Sequence, residues 1–117
     1  MVSEMRNSPD IGTIDWSDRV SLLICPRCGN QTLHHEKVTV FDREEDALTV
    51  VRTEIKKGVV SVDAAGSGTG NPSTRRDGIV IDFSCENCGD DALQLTFAQH
   101  KGSTEIGWRF ELHRPDA

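Results

Sequence analysis

The chain has 117 residues, 36% of them hydrophobic and 5% aromatic, with four cysteines and 13 basic against 19 acidic side chains. That length fits one domain with a modest core, a size that often needs a covalent or metal staple. The net charge of −6 disfavours indiscriminate attraction to phosphate backbones or anionic lipid, which comes from Lys and Arg, leaves room for a local basic patch, and fits better with a protein partner.

Residues 1–18 are polar, acidic and broken by Pro9 and Gly12; they are expected to form a flexible N-terminal tail ahead of a single β domain over 19–114. The first ten residues have no apolar centre of the kind a secretory leader carries, and no run approaches a membrane span. A cytoplasmic location without a membrane partner follows, where reducing conditions argue against structural disulfides. Trp16 is expected either to cap an open edge of the core or to stand out as a contact for a partner.

A short strand over 20–24 leads into Cys25-Pro26-Arg27-Cys28-Gly29. A strand over 33–41 follows, with Val38 and Val40 facing one way and Thr39 and Phe41 the other. After the charged turn at 42–46, β-branched residues predict strands over 47–55 and 59–62, and Lys56-Lys57-Gly58 between them signals a hairpin. Residues 64–77 are the one low-complexity stretch, and their glycines and serines predict a long mobile loop thrown out from the fold.

Another strand over 79–84 runs into Cys85-Glu86-Asn87-Cys88-Gly89, which repeats the first cysteine turn sixty residues on. Two more strands, over 93–98 and 106–113, flank the Lys101-Gly102 turn. The last three strands alternate apolar and polar residues and predict an antiparallel meander with one buried face that supplies most of the core. Trp108 is assigned to that core because it alternates with Ile106 and Phe110. The whole is expected to be an all-β, antiparallel sheet of six or seven strands.

The four cysteines carry the chemistry. A Cys-x-x-Cys-Gly turn aims two thiolates at one point while its glycine takes a left-handed conformation, and two such turns face to face supply four sulfurs at the corners of a tetrahedron. Spacing and compartment favour a metal over two disulfides or inert thiols. A tetrathiolate suits zinc or iron; the absence of Tyr, and Phe and Trp residues better placed as ordinary core, favour zinc. Four cysteines fill a four-coordinate shell, so the site is expected to be structural, whereas a catalytic zinc keeps a position open for water. With one divalent ion and four thiolates the net charge moves from −6 to about −8.

These paired turns resemble the zinc-ribbon superfamily. The resemblance implies a zinc-ribbon-like fold with two cysteine knuckles and one structural zinc held by Cys25, Cys28, Cys85 and Cys88. The chain departs from compact ribbons in placing 56 residues, mostly strand-like, between its two turns. More loosely, the turns together with Asn71-Pro72-Ser73-Thr74-Arg75-Arg76, Phe83-Ser84-Cys85 and Ala98-Gln99-His100-Lys101-Gly102 are similar to small zinc-ribbon-like proteins of actinobacteria and their phages. That likeness spans residues 20–112 and brings no activity with it.

Other candidates are weaker. His34, His35, His100 and His113 are expected at the surface or as donors around the metal rather than as ligands, because four thiolates already complete the shell. Residues 66–71 lack the Gly-Lys-Ser/Thr of a phosphate loop and precede no helix, which argues against nucleotide binding. No Ser, His and Asp set can be assembled for catalysis. Arg75 and Arg76 are candidates for a partner contact through bidentate guanidinium bonds; the alternative is a solvated loop paired to Asp77 or Asp82. Arg109, beside Gln94, Thr96 and His100, is a third candidate contact. The sequence therefore points to a non-enzymatic, zinc-stabilised module that binds a protein or acts in regulation. A nucleic-acid-binding ribbon working through Arg75-Arg76 and a rubredoxin-like redox protein are the alternatives.

Overall fold

The computed structural model describes residues 2–66, 68–89 and 92–114. Among them the chain forms nine strands and no helix: β1 Val2–Ser8, β2 Thr13–Asp15, β3 Ser21–Leu23, β4 Leu33–Asp42, β5 Val50–Lys56, β6 Val59–Gly66, β7 Gly78–Cys85, β8 Leu93–His100 and β9 Ser103–Arg114. Seven of them make one sheet in the order β1-β9-β8-β7-β4-β5-β6, and β2 pairs with β3 alone. Every pairing is antiparallel.

Two tight turns fix the register of the hairpins. Lys57 and Gly58 lie at φ 50° and 78°, Lys101 and Gly102 at 50° and 85°, the two left-handed positions in succession that a type I′ turn demands and that match strand twist. β4 carries an irregularity between His35 and Lys37, an extra residue that bends the strand where it approaches the cysteine turns.

Side chains alternate across a sheet, and here both faces bury something. One face holds Leu93, Leu95, Trp108 and Phe110 with Cys25 and Cys85, and Ile11, Leu23, Leu33 and Phe83 pack against them. The rings of Phe83 and Trp108 meet edge to face with centroids 5.9 Å apart, a favoured aromatic geometry. The opposite face holds a smaller cluster of Phe41, Val50 and Val80, with Thr39 buried beside it.

This corrects the expectation of one buried face, and the reason is the glycine-rich segment. Residues 68–76 fold back over the second face: a Cβ on Gly70 would lie 3.7 Å from Phe41 Cζ, and one on Gly68 would lie 3.8 Å from Val50 Cγ2. Residues 64–66 belong to β6 rather than to a loop. Ser73 is buried, its hydroxyl donating to the Gln99 carbonyl at 3.0 Å, while Asn71 Oδ1 accepts from the Ser73 amide at 3.0 Å and Asn71 Nδ2 donates to the Arg76 carbonyl at 3.0 Å. Side chains of Asn and Ser closing local turns in this way replace the freedom that composition suggests. Gly78 leaves room for the segment, since a Cβ there would sit 2.8 Å from Pro72 Cδ.

The N-terminal expectation is corrected as well. Residues 2–8 are not a tail but strand β1, registered on β9 from Val2 opposite Arg114 to Ser8 opposite Trp108. The long β9 offers a row of backbone groups that a polar strand can satisfy as well as an apolar one. Residues 13–15 pair with β3, and Trp16, 70% exposed, stands at the tip of that hairpin instead of capping the core.

Candidate metal centre

The two cysteine turns are built alike. In the first, the Gly29 amide donates to the Cys25 carbonyl at 2.8 Å; in the second, the Gly89 amide donates to the Cys85 carbonyl at 2.8 Å. The closing glycines sit at φ 78° and 95°, where a side chain is strained even though nothing lies within 4 Å of either Cβ position. The Arg27 amide points back at Cys25 Sγ, 3.4 Å away, and such an amide dipole favours a thiolate.

Two further bonds hold the turns against each other and the sheet, and a third shapes the segment between the first turn and β4. The Glu86 amide donates to the Thr32 carbonyl at 3.1 Å, tying the second turn to the segment after the first. Asn30 Oδ1 accepts from the Thr32 amide at 2.7 Å. Arg27 Nη1 donates to the Glu111 carbonyl on β9 at 3.1 Å.

The result is a compact cluster. The Sγ atoms of Cys25, Cys28, Cys85 and Cys88 all lie within 4.8 Å of one another, with Cys28 to Cys85 at 3.6 Å and Cys25 to Cys88 at 3.9 Å. Those distances are far too long for disulfides, which need about 2.05 Å, and all four cysteines are free. A tetrahedron with metal–sulfur bonds of about 2.3 Å has sulfur–sulfur edges of about 3.8 Å. These two cross-turn distances bracket that edge, so the donor set fits a metal ion.

The environment of the sulfurs is uneven. Cys25 and Cys85 are buried, Cys88 is half-buried and Cys28 is exposed. A hydrogen bond from the Asn87 side chain is the main reason the Cys28 thiol is pulled down to about 6. Burial, then its hydrogen bond to Cys28 and the nearby Cys25 charge, pushes Cys88 up to about 12. A bound cation reverses that second effect, because a coordinating thiol is deprotonated outright.

The remaining candidate residues are spread over the molecule. Arg75 is bound in bidentate fashion by Asp46, through Nε at 2.8 Å and Nη2 at 2.6 Å, and also reaches Glu45 at 3.1 Å. These contacts raise the Arg75 pKa and hold Asp46 below the usual carboxylate range. Arg76 pairs with the same Glu45 at 3.0 Å. The partners are thus the acidic turn after β4, not Asp77 or Asp82. Arg109 donates through Nε to Gln94 at 2.7 Å and through Nη2 to the Gly70 carbonyl at 3.0 Å; burial lowers its pKa.

His34 pairs with Glu86 of the second cysteine turn at 3.2 Å, and the metal-compatible cluster among the described residues contains no histidine. The His113 side chain lies outside the described residues. Sequence reasoning missed Asn87 and Arg27, the middle residues of the two turns. Their signal was position alone, a polar side chain between two ligands.

Fold and site together define an all-β protein that brings two distant glycine-closed cysteine turns onto one four-sulfur, metal-compatible cluster, an arrangement compatible with a zinc ribbon. No protein-family model, curated protein or solved structure matches the chain. No helix among the described residues is long and apolar enough to cross a membrane.

Proposed function

We infer that the chain is a non-enzymatic cytoplasmic binding module, stapled by one structural zinc ion on Cys25, Cys28, Cys85 and Cys88, and that its partner is a protein. The observation that carries this is the convergence of the four sulfurs at tetrahedral spacing. When bound, the metal supplies cross-linking and charge neutralisation; with four protein ligands it has no position for a reacting water. The chain's own residues do the rest: Gly29 and Gly89 close the turns, the Arg27 amide faces a sulfur, and Asn87 holds Cys28 ready as a thiolate. The acidic charge and the engagement of Arg75 and Arg76 by Glu45 and Asp46 favour a protein partner over nucleic acid.

A second reading has its own observation. Trp108, Phe110 and Phe83 pack in one cluster with Cys25, Cys85 and Cys88, an aromatic shelter of the kind that suits a rubredoxin-like iron site. The absorption spectrum separates the two. Ferric tetrathiolate is red and the zinc form colourless; purified protein that is colourless with one zinc per chain supports the leading reading, and red protein carrying iron overturns it. A salt series with single- and double-stranded nucleic acid tests the partner class, because phosphate contacts give a negative salt slope.

A further inference from the structure

One end of the sheet sets two like charges side by side. Away from the cysteine turns, β4 finishes on Asp42 and β7 begins just after Asp77. The antiparallel register that places Phe41 opposite Gly78 brings Asp42 and Asp77 next to each other one step further on. Carboxylates so placed repel each other and weaken the ladder. Neither has an ion-pair partner among the described residues. The nearby guanidinium groups are engaged elsewhere: Arg43 donates to the Ala47 and Thr74 carbonyls at 2.8 and 3.0 Å, and Arg76 pairs with Glu45 at 3.0 Å. Asp77 Oδ1 accepts from the Arg43 backbone amide at 2.8 Å.

The two carboxylates rim a hollow of about 580 Å³ with an apolar floor of Val40, Ile79 and Phe97, and no basic residue lines it. The hollow beside it shares Asp42 and Asp77 and adds Glu44 and Glu45 with Arg43 and Arg76. Together they hold four carboxylates against two guanidinium groups, a net charge of −2. The apolar character continues outward. Val40, Ile79, Val51 and Ile106 are each more than a third exposed, Val51 lying opposite Asp42 and Ile106 opposite Phe97. Leu48, in the turn between β4 and β5, is fully exposed.

We propose that this end of the sheet binds a basic segment of a protein partner. A Lys or Arg stem lies on Val40, Ile79 and Phe97, with its cationic head between Asp42 and Asp77. The proposal rests on the protein-binding reading and names the chemistry of the partner. Lys and Arg match the hollow because each joins an apolar stem to a charged head. A bare hydrated cation would leave the apolar floor uncovered. Nucleic acid or anionic lipid would bring phosphate against two carboxylates, and a second copy would bring a net charge of −6 to an end that is already acidic. Complementary charge therefore selects a basic segment.

The test is amide chemical-shift mapping on the metal-loaded full chain, with metal content measured on the same samples so that loss of the staple is seen separately. Three probes are compared: a short blocked peptide alternating leucine and lysine, the same peptide with glutamate for lysine, and calcium chloride. The lysine peptide should bind with a dissociation constant of about 1 mM or tighter, moving the amides of residues 40–42, 77–79 and 97–99. That binding should weaken as salt rises. Glutamate peptide and calcium should leave those amides in place. Asp42→Asn combined with Asp77→Asn, which keeps an acceptor for the Arg43 amide, should weaken the lysine peptide roughly five- to tenfold at unchanged metal content. Ile79→Lys, which puts this chain's own cation into the hollow, should abolish binding. Equal movement of those amides by glutamate peptide or calcium overturns the proposal. So do lysine-peptide shifts gathered elsewhere, no binding at about 1 mM, or a double variant that binds as tightly as wild type. A protein partner that binds Ile79→Lys as well as wild type overturns this site alone and leaves the protein-binding reading standing.

Discussion

Cys28 and Cys88 belong to one sulfur cluster, yet their surroundings push them in opposite directions. Cys28, drawn down to about 6 by the Asn87 hydrogen bond, carries no proton for an arriving metal to displace above that pH. Cys88, pushed up to about 12 by burial, carries one at every physiological pH. Metal binding must release the protons that remain, so affinity should fall as pH drops, and fall more steeply once Cys28 protonates below about 6. Asn87→Ala should let the Cys28 pKa climb toward the usual thiol range. Between there and pH 6 the affinity would then gain up to about one extra decade per pH unit; chelator competition across that window measures the slope, and an unchanged slope would remove Asn87 from its role. At the ligands themselves, Cys25→Ser or Cys85→Ser should cost most of the roughly 10 kcal/mol that structural zinc contributes to folding, leaving no cooperative melt. A variant that melts like wild type would show that the staple is not needed.

At the scale of elements, the segment over the second face makes the sharpest contrast. Ser73 Oγ donates to the Gln99 carbonyl and accepts from the Arg76 amide, both at 3.0 Å, so Ser73→Ala should cost about 1–3 kcal/mol by leaving buried groups unpaired. Hydrogen exchange over 70–76 should speed up with it. Arg75→Ala breaks an exposed ion pair instead and should shift the melt little; the reverse order of effects would mean that the ion pairs, not the serine, pin the segment. This segment also marks where the sequence stopped being informative. Strands β3 to β9 were legible because each has β-branching or alternation of its own, and the cysteine turns because their spacing is chemical. β1 was not, since Val2–Ser8 has no apolar rhythm and becomes a strand only because β9 offers its edge. Residues 68–76 looked mobile by composition, though Asn71-Pro72-Ser73 held the turn signals that fold them down. The cysteine site was legible in its ligands and silent on Asn87 and Arg27, whose roles exist only once the turns meet.

For the whole molecule, the account rests on two turns sixty residues apart in sequence drawn together at one end of a sheet whose core is small. Only ten apolar side chains are buried among the described residues, two of them cysteine ligands. A core of that size leaves stability sensitive to the cluster, so chelation should convert a cooperative thermal transition into a broad one or none. Binding of metal to the folded form alone should also raise the melting temperature with free metal concentration. The most direct check is elemental analysis of protein purified without added metal, read together with its melt before and after chelator. The account predicts one metal ion per chain and loss of the cooperative transition when that ion is removed. Protein that carries no metal and melts cooperatively all the same would contradict it.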